Sequence, residues 1–120
     1  MTREQFESLP NRRKVAEREY KTVSAMIFAE CREKEIFSDI GGQLTEIHHI
    51  WSKAHCPLWY IFQKENLVAI SQRLHYAIHN RAYSDMTEAE QDYYEYFKQV
   101  KDRLKQENDN YNQGLTEDFT

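Results

Sequence analysis

Hydrophobic and polar positions alternate along this chain in a few distinct periods. Residues 1–10 form a short polar lead. From Asn11 to about Lys34, the apolar residues Ala16, Tyr20, Val23, Ile27 and Cys31 recur every three or four positions. That spacing makes one stripe along a helix. Asn11 stands where it can cap the helix start. Glu35 to Gln43 reads as a connector, with Ile36 and Phe37 expected to pack inward and Gly41-Gly42 marking a turn. In a strand over Leu44–Ile50, Leu44, Glu46, His48 and Ile50 share one face, and Thr45, Ile47 and His49 share the other. A loop follows from Ser52 to Tyr60, where Pro57 limits any helix. The run Trp51, Leu58, Trp59, Tyr60, Ile61 and Phe62 is too apolar for a free flap and is expected in the core.

The second half returns to helical period. Asn66–Ile70 is a second short strand, and Ser71 is placed to cap a helix ending near Asn80. Leu74, Ala77 and Ile78 supply that helix's packing surface. Thr87-Glu88-Ala89-Glu90 matches a capping box, opening a helix from Glu88 to about Glu107 with the stripe Tyr93, Phe97, Val100 and Leu104. Residues 108–120 are polar and are expected to fray or remain disordered. These elements predict one mainly α domain of the α+β class over residues 1–120, with a small two-strand unit between two longer helices.

Charge changes the picture by its distribution. The chain is net −4, yet residues 1–83 hold twelve Lys+Arg against ten Asp+Glu, while residues 84–120 hold four against ten. The acidic excess lies wholly in the C-terminal segment, so a phosphate-binding surface elsewhere is not excluded. That segment is expected to face away from a nucleic-acid groove or to cover it, and its acidity also fits a protein partner. Arg12, Arg13 and Lys14 oppose the dipole at the start of the first long helix. Either a phosphate contact or pairing with Glu17 and nearby acids accounts for them. There is no apolar run of 18 residues and no basic-then-apolar leader, so neither a membrane span nor export is expected. Cys31 and Cys56 stand at unrelated positions and read as reduced thiols of a cytoplasmic protein.

The chemistry concentrates between Glu46 and Asn80. All five histidines fall here, four of them in two groups, His48-His49 and His75-x-x-x-His79. Adjacent histidines on a strand point apart and should have different jobs. An i, i+4 pair on a helix shares one face, as in helical sites where two imidazoles bind one metal.

Glu46-x-His48-His49, then Asn66, then His75-x-x-x-His79 after eight residues is similar to the motif of the HNH nucleases, also called His-Me finger or ββα-metal nucleases. The likeness covers roughly residues 44–80 and is nearest to the HNH domains of nuclease bacteriocins. Many members also carry two Cys-x-x-Cys pairs around a structural zinc. This chain lacks them, with Ser71 and Leu74 where the second pair usually falls, so a structural zinc is not expected.

The resemblance implies a ββα-metal finger at 44–80, flanked by an N-terminal helix at about 11–34 and a C-terminal helix at about 88–107. It implies a metal-dependent endonuclease acting on DNA, of the small kind often encoded by phages or mobile elements. His48, His75 and His79 would ligate one divalent ion (Mg, Mn, Ni or Zn), and His49 would be the general base. Asn66 would brace the loop carrying that base, or bind metal. Glu46 would support a ligand imidazole or pair with an Arg. Lys53, Arg73 and Arg81 flank the motif as phosphate-contact candidates, while His55 reads as a loop residue. Two other readings stay open: a binding module that does not cleave or cleaves only with a partner, and a zinc adaptor closed by a fourth ligand such as Cys56.

Overall fold

The computed structural model describes residues 1–117, with side chains through residue 114. The lead is not featureless. Thr2 and Gln5 form a reciprocal capping box that starts a short helix, α1 (Arg3–Glu7). Helix α2 (Arg12–Glu33) follows, but Asn11 makes no side-chain cap. Arg12 instead donates to the carbonyls of Glu7 and Leu9 at 2.9 and 3.3 Å, turning its charge toward the free carbonyls of the preceding turn. Helix α2 stops in a Schellman arrangement. Glu35 takes φ 57°, its N–H donates to Arg32, and the N–H of Ile36 donates to Cys31.

The class is α+β, with a three-stranded antiparallel sheet in the order β1 (Ser38–Asp39), β2 (Gly42–His49), β3 (Leu67–Ser71). Strand β1 falls in the stretch expected to be only a connector. Ile36 and Phe37 beside it are 48% and 57% exposed rather than packed inward, because α2 has ended before it can cover them. Strand β1 pairs only with Gly42 and Gln43, so most of that edge of β2 carries no partner strand.

Strict alternation along β2 fails at one place. The pairing Leu44–Ser71 is followed by Glu46–Ile70, leaving Thr45 as a bulge. Leu44 is thereby turned to the face of Ile47, where both pack with Ile27, Leu67 and Ala69 beneath α2. From Glu46 onward the expected alternation holds, and Glu46 and His48 lie on the face away from α2.

Ser71 ends β3 and caps α3 (Gln72–Asn80), its hydroxyl accepting from the N–H of Leu74 at 3.1 Å. The β1–β2 turn locks this junction. Asp39 accepts from the N–H groups of Ser71 and Gly41, both at 2.7 Å, and a Cβ at Gly41 would run into the Ser71 hydroxyl. Ile70, Leu74 and Phe97 then join β3 and α3 to α4 (Glu88–Glu117). Burying each contributes about 1.5–3 kcal/mol.

Helix α4 runs well past Glu107. Its polar second half is held from outside: Arg3 donates to Asn108 Oδ1 at 2.6 Å and lies 3.9 Å from the Tyr111 ring centroid. Tertiary contact with α1 overrides the polar composition that pointed to fraying. The part of that expectation covering residues 118–120 lies outside the described residues.

At the start of α4 the capping box forms as the sequence indicates, with Thr87 N–H donating to Glu90 at 2.8 Å and Glu90 N–H to the Thr87 hydroxyl at 3.2 Å. The Thr87 backbone bond holds the Glu90 carboxyl below its ordinary range, aided by Arg81. The stability it contributes is therefore present above the unfolded carboxylate pKa of about 4.3 and lost as pH falls through the lower folded value. Glu90→Ala should cost about 1 kcal/mol at pH 7. Urea unfolding should show the gap to wild type shrinking below about pH 4.

Candidate metal centre

His48 sits next to last in β2, on the face covered by α3 and α4, and is 4% exposed. Its ring lies 5.1 Å from Phe97, 5.3 Å from His75 and 5.2 Å from His79, centroid to centroid. His75 and His79 come together because Ser71 starts α3 in a register that turns both toward β2; their rings are 4.7 Å apart. One nitrogen from each of the three rings lies within 4.8 Å of the other two.

Burial sets the protonation of this cluster. It lowers the pKa of His48 to about 3, helped by His75 and His79, and lowers that of His79 as well. Neutral imidazole is the form that ligates a metal. The Nδ1 of His48 is buried without a hydrogen-bond partner, a position that costs about 1–3 kcal/mol in the absence of any ligand. Glu46 accepts from Nδ1 of His75, which leaves the lone pair of that ring on Nε2 and fixes its orientation, as carboxylates do behind metal-bound histidines. The donor set therefore fits a divalent metal ion.

His49 points the other way, toward α2. Its Nε2 donates to the Ile61 carbonyl at 3.0 Å, and its ring stacks on Tyr20 at 5.1 Å and 29°. A carbonyl only accepts, so the hydrogen sits on Nε2 and the free lone pair on Nδ1. Burial lowers the pKa of His49, opposed by the Ile61 bond and reinforced by the charge of Lys53. Although they leave β2 on opposite faces, His48 and His49 line one cleft of about 200 Å³, together with Ser52 and His79.

Asn66 has no exposed surface. Its Oδ1 accepts from the N–H of Trp51 at 2.6 Å, and its Nδ2 donates to the carbonyls of Trp51 and Tyr60 at 3.1 and 2.9 Å. The amide is fully engaged in the loop that presents Ile61 to His49, the bracing arrangement rather than a metal contact. Cys56 packs among apolar side chains around Trp51 and Phe62, burial raising its thiol pKa to about 11. It is not in the histidine cluster, which among the described residues holds three ligand groups. His55 is exposed in the loop.

The three basic candidates separate. Lys53 lies 6.0 Å from the Tyr20 ring that stacks on His49, at the edge of the site. Arg73 and Arg81 line a different recess with Gly41 and Glu90, and Arg81 pairs with Glu90 at 3.3 Å. The far wall of the histidine cleft comes instead from α4, through Tyr94, Phe97, Lys98 and Lys101. The acidic segment thus turns a basic edge toward the site. Pattern reading missed it by following only the apolar stripe of α4. A second stripe, Tyr94–Lys98–Lys101–Lys105, runs beside it at helical spacing and is visible in the sequence. The apolar stripe of α2 includes Tyr20 without marking its contact with His49, and nothing in a sequence marks the Ile61 carbonyl.

Compared with family models, curated proteins and solved structures, the chain matches none. Asn66→Ala should strand the Trp51 and Tyr60 backbone groups without partners and cost about 3–5 kcal/mol in denaturant unfolding. Wild-type stability in this variant would show that the amide does not brace the loop.

Proposed function

We propose that the chain is a metal-dependent endonuclease of the HNH type, with β2, β3 and α3 as its ββα-metal finger and DNA phosphodiesters as its substrate. The observation that carries this reading is the convergence of His48, His75 and His79 beside a fourth histidine, His49, whose free nitrogen is preset by the Ile61 carbonyl at the same cleft. His48, His75 and His79 would hold one divalent ion, and three imidazoles suit zinc or nickel better than magnesium. When bound, that ion supplies stabilisation of negative charge on the phosphate and the departing oxygen.

The residues of the chain do the rest. Nδ1 of His49 takes a proton from water as it adds to phosphorus, in line with the leaving 3′ oxygen. The Ile61 carbonyl, already accepting from Nε2–H, stabilises the imidazolium that forms. Tyr20 holds the plane of the ring, and Asn66 keeps the loop bearing Ile61 in place. Glu46 keeps His75 in its ligating tautomer. The departing 3′ oxygen takes a proton from solvent, and the products are a 5′-phosphate and a 3′-hydroxyl. The acidic excess of residues 84–120 favours a second reading, a module that holds nucleic acid and cleaves only with a partner protein.

Plasmid nicking with Mg²⁺, Mn²⁺, Ni²⁺ and Zn²⁺, alongside metal titration by calorimetry, tests the assignment. His49→Ala should keep metal affinity and lose about 10²–10⁴-fold in cleavage. His79→Ala should weaken metal binding first, with excess metal restoring part of the activity. Metal binding abolished by His49→Ala and untouched by His79→Ala would reverse the roles. Nicking by wild type only after a partner is added would favour the second reading.

A further inference from the structure

Phe97 pins α4 to the metal centre. It is 5% exposed, packs with Ile70 and Leu74, and its ring lies 5.1 Å from that of His48. Tyr94, three before it, and Lys101, four after it, share its side of the helix, while Lys98, one after it, is turned about 100° away. All three line the cleft. Positions bordering a buried helix contact are often apolar. Here two are lysines, in a helix whose residues 88–117 hold four basic side chains against eight acidic ones. Neither lysine forms an ion pair among the described residues. Lys98 is exposed and Lys101 half-buried, and two unpaired cations bordering the cleft, on a helix with twice as many acidic as basic residues, suit an anionic ligand.

Tyr94 adds a second constraint. It is 36% exposed, and Tyr83 supports it at 5.5 Å between ring centroids. It therefore presents a supported aromatic surface at the same wall as the lysines. An intact duplex offers phosphates to such a wall but only base edges in its grooves. An unpaired strand offers both phosphates and a free base face, and cations interleaved with an exposed aromatic are the usual means of holding one.

Building on the nuclease reading, we infer that the α4 wall is the strand-binding surface of the site: Lys98 and Lys101 contact backbone phosphates, and Tyr94 stacks on an unpaired base. The preferred substrate class is then single-stranded DNA, or a strand opened at the cleavage site, rather than uninterrupted duplex.

The test is fluorescence anisotropy of the full-length chain with a short labelled single strand and with the matching duplex, in chelator to prevent turnover and over a range of salt. Lys98→Gln/Lys101→Gln should reduce the slope of log affinity against log salt on the single strand by about 1.4, near 0.7 per lost phosphate contact. Tyr94→Ala should weaken single-strand binding about 5- to 150-fold, leave the salt slope unchanged and barely affect duplex. Tyr94→Phe, which keeps the ring, should behave as wild type. Calorimetric metal binding by each variant verifies that the site is intact. An unchanged salt slope in the lysine variant, or equal losses on both DNAs in Tyr94→Ala, overturns the inference while leaving a cleaving wild type as a nuclease. A wild-type chain that binds metal but neither binds nor cleaves either DNA overturns the nuclease reading and this inference together.

Discussion

The arrangement depends on one buried amide. Asn66, at the end of the loop between β2 and β3, engages Trp51 near its start and Tyr60 further along with three hydrogen bonds and no exposed surface. The loop is rich in aromatic side chains, which supply area but little direction. The amide supplies direction. It fixes the backbone beside Ile61, whose carbonyl orients His49. It also fixes Tyr60, whose hydroxyl donates to Glu107 at 3.0 Å and receives a longer bond from Arg3 at 3.4 Å. Through Tyr60, the loop, α1 and α4 are referenced to one point, and α4 in turn forms a wall of the cleft.

Around that frame the chain tolerates an energetic conflict. A histidine that is 4% exposed, with an unpartnered ring nitrogen, sits against Phe97 and faces two more imidazoles. The apolar cluster of Ile70, Leu74 and Phe97 offsets the desolvation by packing tightly on the same side of the sheet. The result is a group held neutral well below neutral pH and kept ready to share its lone pair. Water exclusion strengthens every electrostatic contact made there. Beside it, His49 from the other face of the strand reaches the same cleft.

Much of this was legible because it rests on local rules. The four-residue spacing of His75 and His79, the Ser71 cap and the Thr87–Glu90 box each follow from near neighbours and stand where spacing puts them. Tertiary constraints were not legible. A bulge at Thr45 turned Leu44 to the other face, and no period reveals a single inserted residue. Helix α4 outran its amphipathic stripe because Arg3, more than a hundred residues earlier in the chain, reaches Asn108 and Tyr111. The lysines of α4 were hidden by net charge, which sums over a helix whose faces differ in sign.

The junction of β3 and α3 bears on how the sequence can change over time. Ser71 is both the last strand residue and the helix cap, so no spacer separates Leu67 from His79. One residue inserted into β3 exchanges its two faces, and one inserted into the first turns of α3 rotates the histidine pair by about 100°. Length variation among descendants of this chain is thus barred from the fourteen residues Leu67–Asn80. It is admissible in the exposed stretch around Lys53–His55, which lies ahead of the Tyr60 anchor and bears none of the ligands. An alignment of diverging copies should show a gapless block there and ragged lengths beside it.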